Sequence, residues 1–280
     1  MPPRKKGILC PDCGKLVSSD EPKCPYCGYR RPGARWKSGI GKSLAGDPEG
    51  LVRYIVYINI GMYVLSLLLS ARRIGLGANP LTALSPDNWS LVLLGASGTG
   101  PIDQYHRWWS LVTANYLHGS LLHIFFNMMA LRQLAPFIIR EFGPWRFIVI
   151  YSLGGVAGFW LSYLAGVKLT IGASAAICAM IGAILFYSKS RGGAYGQALY
   201  RQVGGWALGI FLFGLLVPGI NNWGHVGGLL GGALLGYLLG YNERRRESFA
   251  QRLLAYLMVV VTGFFLAGAA ASAVMSRIGA

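Results

Sequence analysis

Repeated apolar runs long enough to cross a bilayer constrain this chain more than any other feature. A membrane helix needs about 20 predominantly apolar residues. Within hydrocarbon each backbone polar group must be satisfied by the protein itself, which leaves helices or closed barrels. The runs predict helices at about 51–70, 117–138, 145–166, 172–188, 205–220, 223–241 and 253–275. Composition agrees: 54% of residues are hydrophobic and 13% charged, against about 25% charged in soluble domains. Forty glycines suit closely packed membrane helices. The fourth and fifth runs are short, as expected of helices that begin or end against protein. The long loop 71–116 carries Trp89, Trp108 and Trp109, and tryptophan's interfacial preference puts part of it in the membrane plane.

The net charge of +16 raises a nucleic-acid reading. In most of the chain, however, the basic residues sit at the ends of apolar runs, which argues against that partner. With the N-terminus in the cytosol and seven alternating spans, 21 of 26 Lys and Arg fall on the cytosolic side, Arg132, Arg140 and Arg146 among them. Arg72, Arg73, Arg107, Lys168 and Arg277 are left outside. The positive-inside rule therefore predicts N-in, C-out. Residues 1–50 are polar and basic and read as lacking a signal peptide.

That topology gives meaning to a few polar residues. Ser174 opens the fourth span after Gly172-Ala173, and His225 opens the sixth within Gly224-His225-Val226-Gly227-Gly228. The second span begins His118-Gly-Ser-Leu-Leu-His123-Ile-Phe-Phe-Asn127. All three spans enter from the outer face, so these side chains share one depth. Intramembrane ionisable residues mark functional sites by default. A serine is a weak nucleophile unless a base takes its proton, and His225 at the same depth is a candidate base. Gly224, Gly228, Gly232 and Gly236, with Gly227 and Gly231, give overlapping small-xxx-small spacings that would press this helix on its neighbours. His123 and Asn127, at i and i+4, share a helix face and offer two donors where a tetrahedral oxyanion would need them. His118 is expected to hold the loop above. Bland readings remain beside these: a packing serine, a histidine bridging helices, a polar helix start. A metal site on the histidines is weak, because no Asp or Glu joins them.

Trp108-Trp109 through Asn127, Gly172-Ala173-Ser174 and Gly224-His225-Val226-Gly227-Gly228, in this order, resemble the rhomboid family of intramembrane serine proteases over about residues 51–275. The resemblance implies a bundle of six helices plus one C-terminal helix. It implies Ser174 as nucleophile and His225 as general base, a dyad without an acidic third member. It also implies an oxyanion hole from His123, Asn127 and the Ser174 backbone N–H. Three positions depart from the family pattern: Ala175 replaces Gly, Cys178 replaces an aromatic residue four after the serine, and Trp109-Ser110 replaces Trp-Arg. None removes a proton-transfer group. Cys178, buried and apolar in its surroundings, is expected to be inert.

Residues 1–50 hold four of the five cysteines and seven of the thirteen prolines. Cys10-Pro-Asp-Cys13-Gly and Cys24-Pro-Tyr-Cys27-Gly are two C-x-x-C knuckles, each followed by a glycine free to adopt positive φ. Four thiolates so spaced suit structural zinc, which would supply the folding energy of a segment too small for a good core. A disulfide pair is disfavoured on a reducing cytosolic side. The segment resembles short zinc ribbons, whose partners vary. The expected organisation is a ribbon at 1–29, a basic linker at 30–50 suited as easily to anionic lipid heads as to nucleic acid, and a membrane domain at 51–275.

The expected fold is thus an all-α polytopic membrane protein with a small N-terminal ribbon, in a bacterial inner or plasma membrane. The expected activity is a serine endopeptidase cleaving single-pass membrane proteins with helix-weakening or small residues near the outer face, with no catalytic cofactor. The alternative is a proteolytically inactive adaptor that binds membrane segments. A transporter would need buried acidic residues and an internal repeat, and neither is visible.

Overall fold

The computed structural model describes residues 7–10, 14–33, 48–71 and 83–278. It resolves two compact units, Met1–Leu51 and Val52–Ala280. Cys13, most of the basic linker (34–47), and Arg72 and Arg73 lie outside the described residues.

In the first unit, β1 (Gly7–Leu9) pairs antiparallel with β2 (Leu16–Ser18), Ile8 opposite Val17. The two knuckles repeat one backbone design. Gly14 N–H donates to Cys10 O and Gly28 N–H to Cys24 O, both at 2.9 Å, with the glycines at φ +70° and +75°. These are the positive-φ turns expected after each C-x-x-C. Cys10, Cys24 and Val17 form a small buried cluster.

The second unit is helical. α1 (Pro48–Leu68), which starts at the unit boundary, leads through short α2 (Asn88–Leu93) and α3 (Ser110–Thr113) to five long helices. These are α4 (Leu121–Phe142), α5 (Pro144–Leu164), α6 (Ser174–Arg191), α7 (Gly193–Leu216) and α8 (Asn222–Leu239). α9 (Phe249–Ile278) closes the bundle. Among the described residues, α1, α4, α5, α7 and α9 are long and apolar enough to cross a membrane. The remaining pair, α6 and α8, carry Ser174 and His225. α6 lies at the centre, with nearly every residue from Ala175 to Ile184 buried.

Two boundaries depart from the sequence reading. The fifth helix starts at Gly193, not near 205. Gln197, Arg201 and Gln202 depress the local hydropathy but do not break a helix, so the apolar run marked only its lipid-compatible part. The second long helix begins at Leu121, because Ser120 caps it by accepting the His123 N–H at 3.3 Å. Gly143, at φ +99°, then turns the chain directly into Pro144 at the first turn of α5. Arg132, counted from the sequence with the cytosolic set, lies eleven residues into this helix.

The end of the bundle away from Ser174 is held by a polar network. Glu247 Oε1 accepts the Trp145 and Arg146 N–H groups at 2.9 and 3.0 Å, capping α5 from 100 residues away in sequence. The Arg146 side chain is fully buried. It donates to Gln251 Oε1 at 3.0 Å, Arg245 O at 2.7 Å and Phe142 O at 3.1 Å. Leaving such a buried cation without acceptors would be strongly destabilising. At the opposite end, Asp87 caps α2 and ties it to α1, accepting from Ser90 N–H, Ala71 N–H and Ser70 Oγ at 2.7–2.9 Å.

Candidate active site

α8 packs by its glycines, and its two glycine rows serve different neighbours. A Cβ on Gly228 would fall on the Ala175 carbonyl oxygen of α6, and one on Gly232 on the Ala179 carbonyl. Gly227 and Gly231 instead face Ala157 of α5. Close approach of the α6 and α8 backbones brings the two candidate side chains together: Ser174 Oγ lies 3.0 Å from His225 Nε2. That is within proton-transfer range. His225 Nδ1 is buried without a hydrogen-bond partner, so no acidic third member joins the pair among the described residues.

Ser174 occupies the first turn of α6, where helix N–H groups have no intrahelical acceptor and the helix dipole favours negative charge. Gly172 precedes it at φ +123°, and a Cβ there would lie 2.7 Å from His123 Nε2. His123 therefore stands beside the serine. Its Nδ1 accepts the Gly119 N–H at 3.3 Å, which leaves Nε2–H as the donor in the neutral ring. Asn127 is buried one turn further on and donates to the His123 carbonyl at 2.8 Å, keeping one amide hydrogen free. His118 does not hold the loop by hydrogen bonds. Its ring is fully buried, both nitrogens lack partners, and it packs edge-on against His123 at 5.0 Å.

The departures at 175 and 178 fit the packing. A Cβ on Gly158 of α5 would come 2.7 Å from the Ala175 methyl, so the missing side chain at 158 makes room for the one gained at 175. Cys178 is buried at 3% exposure.

One positioning residue escaped the sequence reading. Asn221 caps α8 by accepting the Gly224 N–H at 3.1 Å. Its amide also donates to Ser162 Oγ at 2.7 Å and Thr170 Oγ1 at 2.8 Å. It thereby ties the turn that carries His225 to α5 and to the segment leading into Ser174. An Asn three residues before the first helical glycine was the available signal.

In the ribbon, the sulfurs of Cys10, Cys24 and Cys27 all lie within 4.8 Å of one another, with Cys10 and Cys27 at 3.6 Å. Tetrahedral zinc with Zn–S near 2.3 Å requires sulfurs about 3.8 Å apart, so the donors fit. Burial pushes the Cys24 thiol pKa up, but the Tyr26 and Cys27 N–H groups and the neighbouring sulfurs outweigh it, lowering it to about 7. That favours the thiolate a metal needs.

A helical membrane bundle with a serine–histidine contact at a helix N-terminus, preceded by a cysteine ribbon, defines the class. Residues 105–242 match the rhomboid domain and residues 7–30 the zinc-ribbon domain. The chain thus carries a rhomboid domain and an N-terminal zinc-ribbon domain, and its apolar helices make it a multi-pass membrane protein. It is similar to Rhomboid protease GluP of Bacillus subtilis (strain 168), 32% identical over 190 residues, 66% of this chain and 36% of that protein. It is also similar to RHOMBOID-like protein 1 of Arabidopsis thaliana, 30% over 198 residues, 64% and 50% of the two chains. A third relative is Inactive RHOMBOID-like protein 8 of Arabidopsis thaliana, 30% over 165 residues, 55% and 44%. The matched segments span about a third to a half of these relatives' lengths.

Proposed function

We propose that the chain is an intramembrane serine endopeptidase. The observation that carries this is the 3.0 Å contact between Ser174 Oγ and His225 Nε2 at the start of α6. His225 Nε2 takes the serine proton as Oγ attacks the substrate carbonyl carbon. The tetrahedral oxyanion is met by His123 Nε2–H, the free Asn127 amide hydrogen and the Ser174 N–H. His225 then gives its proton to the leaving amine, the C–N bond breaks, and an acyl-enzyme remains. Water, deprotonated by the same histidine, attacks the acyl carbon; the C–Oγ bond breaks, His225 returns the proton to Ser174 Oγ, and the new carboxyl terminus leaves. Preorganised donors of this kind are each worth about 10²–10³ in kcat.

The substrates are single-pass membrane proteins, cut near the outer face, in a bacterial inner or plasma membrane with the N-terminal ribbon cytosolic. The positive-inside bias supports that orientation. Cys10, Cys13, Cys24 and Cys27 would hold one structural zinc. The metal supplies folding energy and takes no part in the hydrolysis. The basic linker meets anionic lipid headgroups.

A relative carrying the word inactive in its name keeps a second reading alive: an adaptor that binds membrane segments without cutting them. Reaction with a fluorophosphonate separates the two. Covalent labelling lost in Ser174→Ala supports the protease, and an unreactive wild type supports the adaptor.

A further inference from the structure

Asp103 is the odd carboxylate of the membrane unit, whose acidic residues are Asp87, Asp103, Glu141, Glu243 and Glu247. Glu141 pairs with Arg140 at 2.7 Å, Glu243 with Arg191 at 3.1 Å and Asp87 with Arg277 at 3.9 Å. Glu247 caps α5 beside the buried Arg146. Asp103 is exposed in a π-helical turn (Gly100–Gln104) and has no cationic partner among the described residues. It accepts a hydrogen bond from the Tyr163 hydroxyl at 3.0 Å.

Tyr163 belongs to an aromatic cluster. Its ring lies 5.2 Å from that of Trp108 and 5.9 Å from that of Trp160, and the two tryptophans are 5.9 Å apart. Trp108 nevertheless stays 45% exposed and Trp160 44%. Trp160 lies four residues before Leu164, the end of α5, about 6 Å from it. That is headgroup depth, where tryptophan is favoured. An uncovered indole and an unpaired carboxylate attract the same ligand, a cation: the ring through its negative face, the carboxylate through charge-assisted hydrogen bonds.

The surroundings fit a cation carried by a lipid. Val156 and Leu153 follow Trp160 down one face of α5 by helical spacing and are partly exposed, an apolar track for acyl chains. Beside the turn that carries Asp103, Gly100 N–H donates to Lys168 O at 3.1 Å and Thr99 N–H to Val167 O at 2.9 Å. Lys168 is exposed, and its ammonium has no partner among the described residues. A carboxylate and an ammonium held on adjoining segments, yet not on each other, match a zwitterion.

We propose that Asp103, Trp108, Trp160 and Lys168 form a headgroup site for a zwitterionic phospholipid of the ethanolamine type. The lipid ammonium sits between the Asp103 carboxylate and the indole faces, and the phosphate meets Lys168. Tyr163 orients the carboxylate. The site is independent of the serine chemistry but adjoins it. Thr170 exchanges backbone hydrogen bonds with Ser97 at 2.8 and 3.0 Å, and the chain then runs into Ser174. A lipid bound here fixes the level of the leaflet at the start of α6.

The test is native mass spectrometry of the purified full chain in detergent, titrated with phosphatidylethanolamine or phosphatidylglycerol of identical acyl chains. Both lipids carry a phosphate, and only the first carries an ammonium. Wild type should retain one phosphatidylethanolamine about tenfold more tightly, the scale of one hydrogen bond to a charged group. Asp103→Asn keeps an acceptor for Tyr163 but loses the charge. It should erase the ratio while the unfolding temperature stays unchanged. Trp160→Leu should lower the ratio about two- to fivefold, and Lys168→Gln should weaken both lipids alike. Equal retention of the two lipids by wild type would overturn the proposal, as would a preference that survives Asp103→Asn. Loss of both lipids together in a destabilised Asp103→Asn would reassign the carboxylate to holding its loop through Tyr163. Soluble glycerophosphoethanolamine should bind far more weakly than the lipid; equal binding would reject the lipid as the occupant.

Discussion

Gly228→Ala adds one methyl group at a residue that takes no part in proton transfer, yet it should disable the site. In isolation the change favours the helix by about 0.5–1 kcal/mol, because Ala replaces Gly in a helix interior. The new Cβ would overlap the Ala175 carbonyl oxygen, while ordinary contact begins at about 3.4 Å. α6 and α8 must therefore part by roughly an ångström at the residue beside Ser174. Overpacking of this kind costs about 1–3 kcal/mol, which a bundle of this size should survive. The Ser174–His225 separation would grow from 3.0 Å to about 4 Å, outside the range for proton transfer. Misplacement by 1 Å costs about 10²-fold in rate. The assay is the second-order rate of fluorophosphonate labelling in detergent, with thermal unfolding measured in parallel. Gly209→Ala on α7, where a Cβ has open space, is the control and should label normally. A folded Gly228→Ala protein that labels at the wild-type rate would refute the idea that backbone contact sets the dyad distance.

Ser174→Ala and His225→Ala should each abolish cleavage, and the double variant should be little worse, since parts of one mechanism are non-additive; additive partial losses would dissolve the dyad. His123→Ala or Asn127→Ala should lower kcat by about 10²–10³ with little change in unfolding, whereas a change confined to KM would move them to substrate recognition. Metal analysis should find about one zinc per chain, absent in Cys10→Ser or Cys24→Ser, while serine labelling persists; prompt loss of labelling on chelation of a still-folded membrane domain would contradict this. Burial raises the Asp87 pKa, but the Ser90 and Ala71 N–H groups and the Ser70 hydroxyl outweigh it and hold it below its ordinary 3.8. A depressed carboxylate stabilises the fold above its unfolded value and loses that contribution as pH falls through the lower one. The unfolding-temperature gap between wild type and Asp87→Asn should therefore be full at pH 6 and shrink below pH 4; a gap independent of pH would rule out the charge.

The helices were legible because lipid leaves the backbone few alternatives, so apolar length alone locates α1, α5, α8 and α9 within a few residues. The meeting of Ser174 and His225 was legible because polar groups are rare at that depth, and the two side chains do lie 3.0 Å apart. What the sequence hid was tertiary. The glycine pattern announced close packing but not that Gly228 and Gly232 face α6 while Gly227 and Gly231 face α5. Hydropathy missed the first turns of α7, where glutamines and arginine lie on a helix that simply continues. Placing Arg132 near a helix end followed from a boundary set four residues early. Asn221, Arg146 and Glu247 act through partners 51 to 105 positions away, and no local pattern reveals such pairs.

The capping of α5 by Glu247 also bears on how the protein is made. A ribosome delivers Trp145 and Arg146 about 100 residues before the carboxylate and amide that complete their bonding. Through that interval the nascent α5 enters the membrane with open N–H groups and an unmatched guanidinium. The bundle gains its last partners only when α9 docks. Chains stalled or cleaved before Glu247 should therefore remain recognisably unfinished to membrane quality control, even though Ser174 and His225 have already been synthesised.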